Sequence, residues 1–249
     1  MNKKVLHNII TALLVLLILS TSFMIYFSNL KAVTFDKELY ETKYREFDIY
    51  SRFSEDTDLE AETGILLEYL EHGEGEIETD FFNEKEKTHL VEVRHLFKIA
   101  NIALNTAVII SIISLFLLLI AIRYFSAYLK QPPEYLKKIL SNLLIGIGIV
   151  VDGIALVFAL IALTFSSSFI KFHELFFKTD TWLLDPATDN LIRMFPQQFF
   201  FDMFVRIIML SVIFATILLI IGIAIRLIKP EMVSRYLKKY EWAFAMAVR

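Results

Sequence analysis

Histidine carries most of the chemistry that this sequence offers. His89 opens the run His89-Leu90-Val91-Glu92-Val93-Arg94-His95, and His173 stands far downstream in Phe172-His173-Glu174. An imidazole whose ordinary pKa lies near 6.5 can take or give a proton close to neutrality, so two of them from separate elements could serve acid–base catalysis. The other use of such residues is local, each ring bonding within its own neighbourhood. A metal site is not expected. At 100° per residue Glu92 returns to the face of His89, but His95 sits about 120° away, and the His-Glu-x-x-His arrangement needs histidines four apart. The chain has no cysteine, which excludes disulfides and thiolate ligands. His7 has no evident role, and His72 sits in the acidic turn Glu71-His72-Gly73-Glu74 as part of a solvated loop. Ser166, Ser167 and Ser168 lie close before His173 and give a weak nucleophile candidate. No cofactor is expected.

The elements that must position these residues follow from how charge is distributed. The 249 residues are 56% hydrophobic with a mean hydropathy of +0.57, yet 53 are charged. Four apolar stretches, 9–27, 102–122, 143–165 and 207–225, cover 82 residues and hold one charge, Asp152. Each is long enough for a helix to cross a hydrocarbon core of roughly 30 Å, which takes about 20 residues. A soluble protein is excluded. Ser20 and Ser22 stand at cleavage spacing, but the apolar run continues through Phe27, so the first stretch reads as a retained anchor. Asp152 at mid-span reads as a carboxyl that locks helix packing or serves function, with Gly153 allowing close helix contact and Asn105 as its candidate partner.

Orientation follows from the basic residues. The N-terminal segment 1–8 carries Lys3 and Lys4. Segment 123–142 carries Arg123, Lys130, Lys137 and Lys138 against Glu134, and tail 226–249 carries six Lys/Arg against Glu231 and Glu241. The region between the first two spans is the reverse: residues 28–98 hold nine Lys/Arg and 19 Asp/Glu. The expectation is a four-helix transmembrane bundle with both termini inside (N-in, C-in), in a cell membrane. An acidic extracellular domain, residues 28–101, leads into the second span.

That domain reads as mixed α/β. The alternation in Phe47-Asp48-Ile49-Tyr50-Ser51-Arg52-Phe53 predicts a short strand. Ser54 can cap a helix through about Leu70, which Gly73 and Gly75 break. Asn83 and Glu86 resemble a capping box, predicting one continuous helix from about Glu84 through Ile122. Residues 166–206 are rich in phenylalanine and are expected as an interfacial amphipathic segment at headgroup depth, on the outer side. On the inner side Gln131-Pro132-Pro133 predicts a turn.

Two stretches resemble a known family. Glu84-Lys85-Glu86-Lys87-Thr88-His89-Leu90-Val91-Glu92-Val93-Arg94 looks like an acidic run followed by His-Met-x-Asp-Val-Lys, with Leu90, Glu92 and Arg94 keeping the character of each position they change. The second runs from Phe172-His173-Glu174-Leu175-Phe176-Phe177 through Trp182-Leu183-Leu184-Asp185-Pro186 and Asp189-Asn190-Leu191-Ile192 to Phe195-Pro196-Gln197-Gln198-Phe199-Phe200. With four spans and an outer domain between the first two, these are similar to the lipoprotein intramolecular transacylase (Lit) family of low-GC Gram-positive bacteria. The resemblance implies transfer of the sn-2 acyl chain of a diacylglyceryl-cysteine lipoprotein to the α-amine of the same cysteine. The product is a lyso-form lipoprotein. Substrates would be diacylated lipoproteins within membrane lipid, with no nucleic acid.

The family's two functional histidines map onto His89 and His173. His89 is assigned as general base and His173 as oxyanion donor or proton shuttle, in an order that the residues themselves leave open. Glu92 either orients His89 or belongs to the helix surface; Asp189 and Trp182 are motif matches for which structural use is expected. Two other classes remain open: a non-enzymatic interaction or assembly protein using the acidic domain, and an intermolecular acyltransferase or phospholipase working through a Ser–His acyl-enzyme.

Overall fold

The computed structural model describes residues 3–129 and 133–228. The turn residues Gln131 and Pro132 and the basic residues of the tail from Lys229 onward lie outside them. Among the described residues the regular elements are α1 (Lys3–Thr34), α2 (Lys37–Glu46), α3 (Leu59–His72), α4 (Glu84–Leu129), α5 (Pro133–Leu163), α6 (Phe165–Phe176), α7 (Asn190–Met194) and α8 (Gln197–Leu227), with 3-10 turns at Tyr50–Arg52 and Asp180–Trp182. Four of them, α1, α4, α5 and α8, are long and apolar enough to cross a membrane, as the four apolar stretches require. Helix α4 is continuous from Glu84, as the capping box predicts, and Pro133 opens α5, where its missing N–H is harmless.

The chain divides into two units. One comprises Met1–Ser22, Val108–Gly153 and Val212–Arg249. Its packing uses small residues. The Ser20 and Ser111 hydroxyls bond at 2.8 Å, and Ser141 donates to the carbonyl of Gly222 at 2.9 Å. A Cβ on Gly148 would meet Leu219 Cβ at 2.7 Å, and one on Gly222 would meet the Ile145 nitrogen at 2.9 Å, so helices approach closely at both. Gly153 is not such a contact: a Cβ there meets nothing within 4 Å. Its neighbour Asp152 has a buried Oδ1 without a hydrogen-bond partner among the described residues. Ile112, Phe116 and Ile220 are exposed, as lipid-facing side chains would be.

The other unit, Phe23–Ala107 and Ile154–Ser211, holds the domain between the first two spans. It is helical rather than mixed α/β; among the described residues it has no strand. The alternating run at 47–53 fails as a strand because Asp48 takes a left-handed backbone (φ 51°), which returns the Ile49 N–H to the Tyr44 carbonyl at 2.8 Å and ends α2. Ile49 is thereby fully buried, and the chain continues into the 3-10 turn. Helix α3 starts four residues later than Ser54 because Asp58 is its cap, accepting from the Ala61 N–H at 2.9 Å; the Ser54 hydroxyl pairs with Thr57 instead. Leu59, Thr63, Leu66, Leu67 and Leu70 form the buried stripe of α3. They pack with Tyr40 and Tyr44 of α2, Leu90 of α4, Leu191 and Met194 of α7, and Phe199 of α8. Tyr44 is wholly buried, and its hydroxyl bonds that of Thr63 at 2.7 Å, which offsets the cost of burying a phenol.

Candidate active site

The start of α4 carries the first imidazole. Asn83 Oδ1 accepts the N–H groups of Lys85 and Glu86 at 3.0 Å, while Glu86 Oε2 accepts the Asn83 N–H at 2.7 Å, the reciprocal bonds of a capping box. Glu86 is buried, and its Oε1 accepts the Leu191 N–H of α7 at 2.5 Å. Burial pushes its carboxyl above the usual range, and the charge of Asp189 adds to this, against the pull of the Leu191 and Asn83 N–H groups. Asp189, buried just ahead of α7, accepts from Asn83 Nδ2 at 2.9 Å, from the Asp185 N–H at 2.8 Å and from the Thr188 hydroxyl at 3.0 Å. Burial raises its pKa, but those donors and the nearby Lys85 hold it below the ordinary value. Asp189 therefore ties the chain ahead of α7 to Asn83 at the start of α4, six residues before His89.

The second imidazole comes from α6. His173 and His89 stack with ring centroids 6.1 Å apart and planes 28° from parallel. Phe177 wedges beside both, 4.7 Å from His89 and 5.1 Å from His173. Phe169 at 4.4 Å and Trp182 at 5.2 Å complete the wall around His173. Glu92, one turn along α4 from His89, accepts the Lys178 N–H at 3.2 Å and the Thr179 hydroxyl at 2.9 Å. It fastens the segment after α6 to α4, and Lys85 Nζ does the same at the Leu183 carbonyl, 2.5 Å away.

The two rings are not equivalent. His89 is 6% exposed, and its Nδ1 is buried without a hydrogen-bond partner among the described residues. Burial, reinforced by repulsion from His173 and opposed by Glu92, pushes its pKa down to about 4. His89 is neutral at pH 7. His173 is half-buried, and its Nδ1 lies 2.7 Å from the Phe169 carbonyl one turn back. A carbonyl only accepts, so Nδ1 carries the proton and the neutral ring keeps its lone pair on Nε2. Burial lowers the pKa of His173 as well, against the Phe169 carbonyl, which favours the protonated ring. His95 is exposed, and among the described residues no group of three or more His, Asp or Glu side chains could hold a metal ion. The Ser168 hydroxyl pairs with Thr164 at 3.2 Å.

A family model described as lipoprotein intramolecular transacylase Lit matches residues 9–200. The chain belongs to that family. It is thus a membrane-integral enzyme of lipoprotein maturation, an acyltransferase in the broad sense. Solved structures of the Lit transacylase from Bacillus cereus share its fold. One matches with a TM-score of 0.69 at 18% identity, over 95% of this chain and 99% of that one. A variant with one histidine changed to arginine matches at 0.66 and 20% identity, over 88% and 92%. Another, with histidine changed to alanine, matches at 0.70 and 18% identity, over 90% and 97%. No curated protein matches the chain.

Within this Lit-family chain all five residues singled out from the sequence converge on one region: His89 and His173 face each other, Trp182 lines His173, and Glu92 and Asp189 fasten the segments that carry these rings. Phe177 and the inward half of Glu86 were not anticipated. Glu86 was legible as a cap, but its bond to α7 needs the fold. Phe177 belongs to the family-like stretch Phe172–Phe177, but its type does not separate it from the neighbouring phenylalanines.

Proposed function

We propose that the protein catalyses O-to-N transfer of the sn-2 acyl chain within one diacylglyceryl-cysteine lipoprotein. The stacked, unequal pair of imidazoles is the observation that carries this reading. Donor and acceptor sit on one molecule, so positioning supplies much of the rate and no enzyme nucleophile is needed. The α-amine nitrogen attacks the ester carbonyl carbon. As the C–N bond forms the amine becomes acidic, and His173 Nε2 takes its proton. The oxygen of the tetrahedral adduct gains negative charge, which an N–H of neutral His89 stabilises. Collapse breaks the bond from the carbonyl carbon to the sn-2 oxygen, which recovers the proton from His173. An amide and a free sn-2 hydroxyl result.

This assignment exchanges the two roles first given to His89 and His173, whose order the residues alone leave open. A ring with a pKa near 4 is a weak base, whereas it remains a good hydrogen-bond donor while neutral. His173, half-buried and with its free lone pair fixed on Nε2, fits the base. The Ser–His acyl-enzyme has less support, because the Ser168 hydroxyl pairs with Thr164 and not with His173.

The site lies on the extracellular side, with both termini inside. The basic segments support that orientation, as does the acidic composition of residues 28–98. Helix α6 has no buried residue, and Leu175, Phe172 and Phe176 are exposed, which suits a helix resting in the lipid interface where an ester is presented.

The test is mass spectrometry of the N-terminal lipopeptide of a model lipoprotein, from cells with and without this protein, in a host that leaves the cysteine amine free. An acyl chain moved from glycerol to nitrogen at constant mass is the expected result. A gain of one acyl mass would mean transfer from a phospholipid, and no change would sink the proposed transfer.

A further inference from the structure

Five cations of the unit formed by Phe23–Ala107 and Ile154–Ser211 pair with carboxylates: Lys31 with Glu71, Lys43 with Asp202, Arg45 with Glu41, Lys87 with Glu84, Arg206 with Asp36. Arg52 and Arg193 do not, and they share one cleft. Among the described residues neither makes an ion pair, yet both are held in place. Arg52 donates to the carbonyls of Arg193 at 3.1 Å and Phe47 at 3.2 Å. Arg193 donates to Asn190 Oδ1 at 3.0 Å and lies 4.3 Å over the Phe53 ring. Neutral partners fix the two guanidiniums and leave their charges uncompensated, with N–H donors to spare. Both line a cleft of about 650 Å³ with Pro186, Ile192, Pro196 and Gln197. Residues 28–98, which supply Arg52, hold 19 carboxylates against nine cations, yet this cleft is lined by two guanidiniums and no carboxylate, which is the lining an anion needs.

Its place argues for which anion. Gln197 is ten residues ahead of Ile207, where the apolar run begins, or about 15 Å along α8. That is above the phosphates of a bilayer, whose headgroup zone is only about 5–8 Å deep on each side. The cleft is also close to the imidazoles. The rings of His173, Phe169, Phe200 and Phe195 follow one another at 4.4, 5.4 and 6.4 Å, so at most about 16 Å separates His173 from Phe195, two residues from Arg193. Five to eight residues of extended peptide, at roughly 3.3 Å each, bridge such a gap.

We propose that the Arg52–Arg193 cleft binds an acidic side chain of the substrate's polypeptide, about five to eight residues after the lipidated cysteine. The enzyme would then favour lipoproteins with Asp or Glu there. This rests on the reading that the substrate is a lipoprotein whose cysteine sits at His173. The full chain in zwitterionic nanodiscs is given synthetic diacylglyceryl-cysteine peptides carrying either glutamates or glutamines at those positions. The expected KM is about fivefold lower for the glutamate peptide at similar kcat, the scale of a solvent-exposed ion pair. Added salt should compress the difference in the unaltered protein. The Arg52→Gln/Arg193→Gln protein should lose the difference while converting the glutamine peptide as before. Equal KM values in the unaltered protein, or a difference that survives the double substitution, would overturn the proposal. If the glutamine peptide is not converted at all, the transacylase reading fails separately. Fluorescence anisotropy of the two peptides on the same nanodiscs then decides the cleft, and equal binding overturns it.

Discussion

Acid should loosen the unit formed by Phe23–Ala107 and Ile154–Ser211 through His89. Burial holds this imidazole at a pKa of about 4, against 6.5 for an ordinary histidine. Between those two values the unfolded chain binds a proton at position 89 and the folded chain does not, so stability falls as pH falls. One pKa unit corresponds to about 1.4 kcal/mol, which makes the loss from this single residue about 3 kcal/mol by pH 4. Above pH 6.5 the contribution is flat. Other groups titrate over the same interval: His173 adds in the same sense, whereas Glu86, whose pKa is raised, acts in the opposite one. Comparison with His89→Gln removes those shared terms. The assay is thermal unfolding in detergent from pH 7.5 to 4, read by the fluorescence of Trp182 in a Trp242→Phe background. Unaltered protein should lose on the order of 5–10 °C more than His89→Gln across that range. Parallel curves for the two proteins would refute the claim that burial holds His89 neutral, and with it the role given to that ring.

Three further outcomes follow from the same geometry. In lipopeptide conversion assays, His173→Gln should lower kcat by about 10²–10⁴-fold and remove the limb of the pH–rate profile that His173, with its lowered pKa, adds below pH 6.5, beside the one set by the substrate amine. His89→Gln should lower kcat by about 10²–10³-fold and keep that limb; the opposite pattern would exchange the two roles. Asn83→Ala removes the acceptor for two N–H groups and one donor to buried Asp189, and should cost about 1–2 kcal/mol in unfolding measurements. Gly222→Ala forces a Cβ against the Ile145 backbone and should cost about 1–3 kcal/mol, whereas Gly153→Ala, with open space around it, should leave the melting temperature within about a degree.

The parts of this fold that could be read from the sequence are those set by local chemistry. Crossing helices show because hydrocarbon excludes charge, leaving one charged residue in 82. The start of α4 shows because a capping box closes within four residues. Where structure depends on a distant partner, local pattern misleads. Phe47–Phe53 alternates as a strand does, but a strand needs a neighbour to satisfy its backbone, and here Asp48 turns the chain so that Ile49 is buried without one. Left-handed backbone is usually announced by glycine or asparagine, so Asp48 gave little warning. Likewise Gly153 and Gly222 are indistinguishable as letters, and only the phase of each helix against its neighbour decides which one a Cβ would disturb.

The same limit explains why the histidines could be found but not ranked. Identical side chains differ as acids only through their surroundings, and those surroundings come from four separate segments. Phe177 closes over His89 because Glu92 draws residues 178 and 179 onto α4. Trp182 reaches His173 from the next turn of chain, which Lys85 secures at Leu183. The Phe169 carbonyl that sets the proton on His173 lies one helical turn back, a spacing visible in the sequence, yet the bond forms only when the ring takes the rotamer that leans along α6. Burial thus makes one ring a poor base that can still donate, and a backbone bond leaves the other with a lone pair directed away from its own helix. A reaction that moves a proton off an attacking amine while charge builds on an ester oxygen needs one group of each kind. The asymmetry created by packing, rather than the pair of histidines as such, equips the site for acyl transfer.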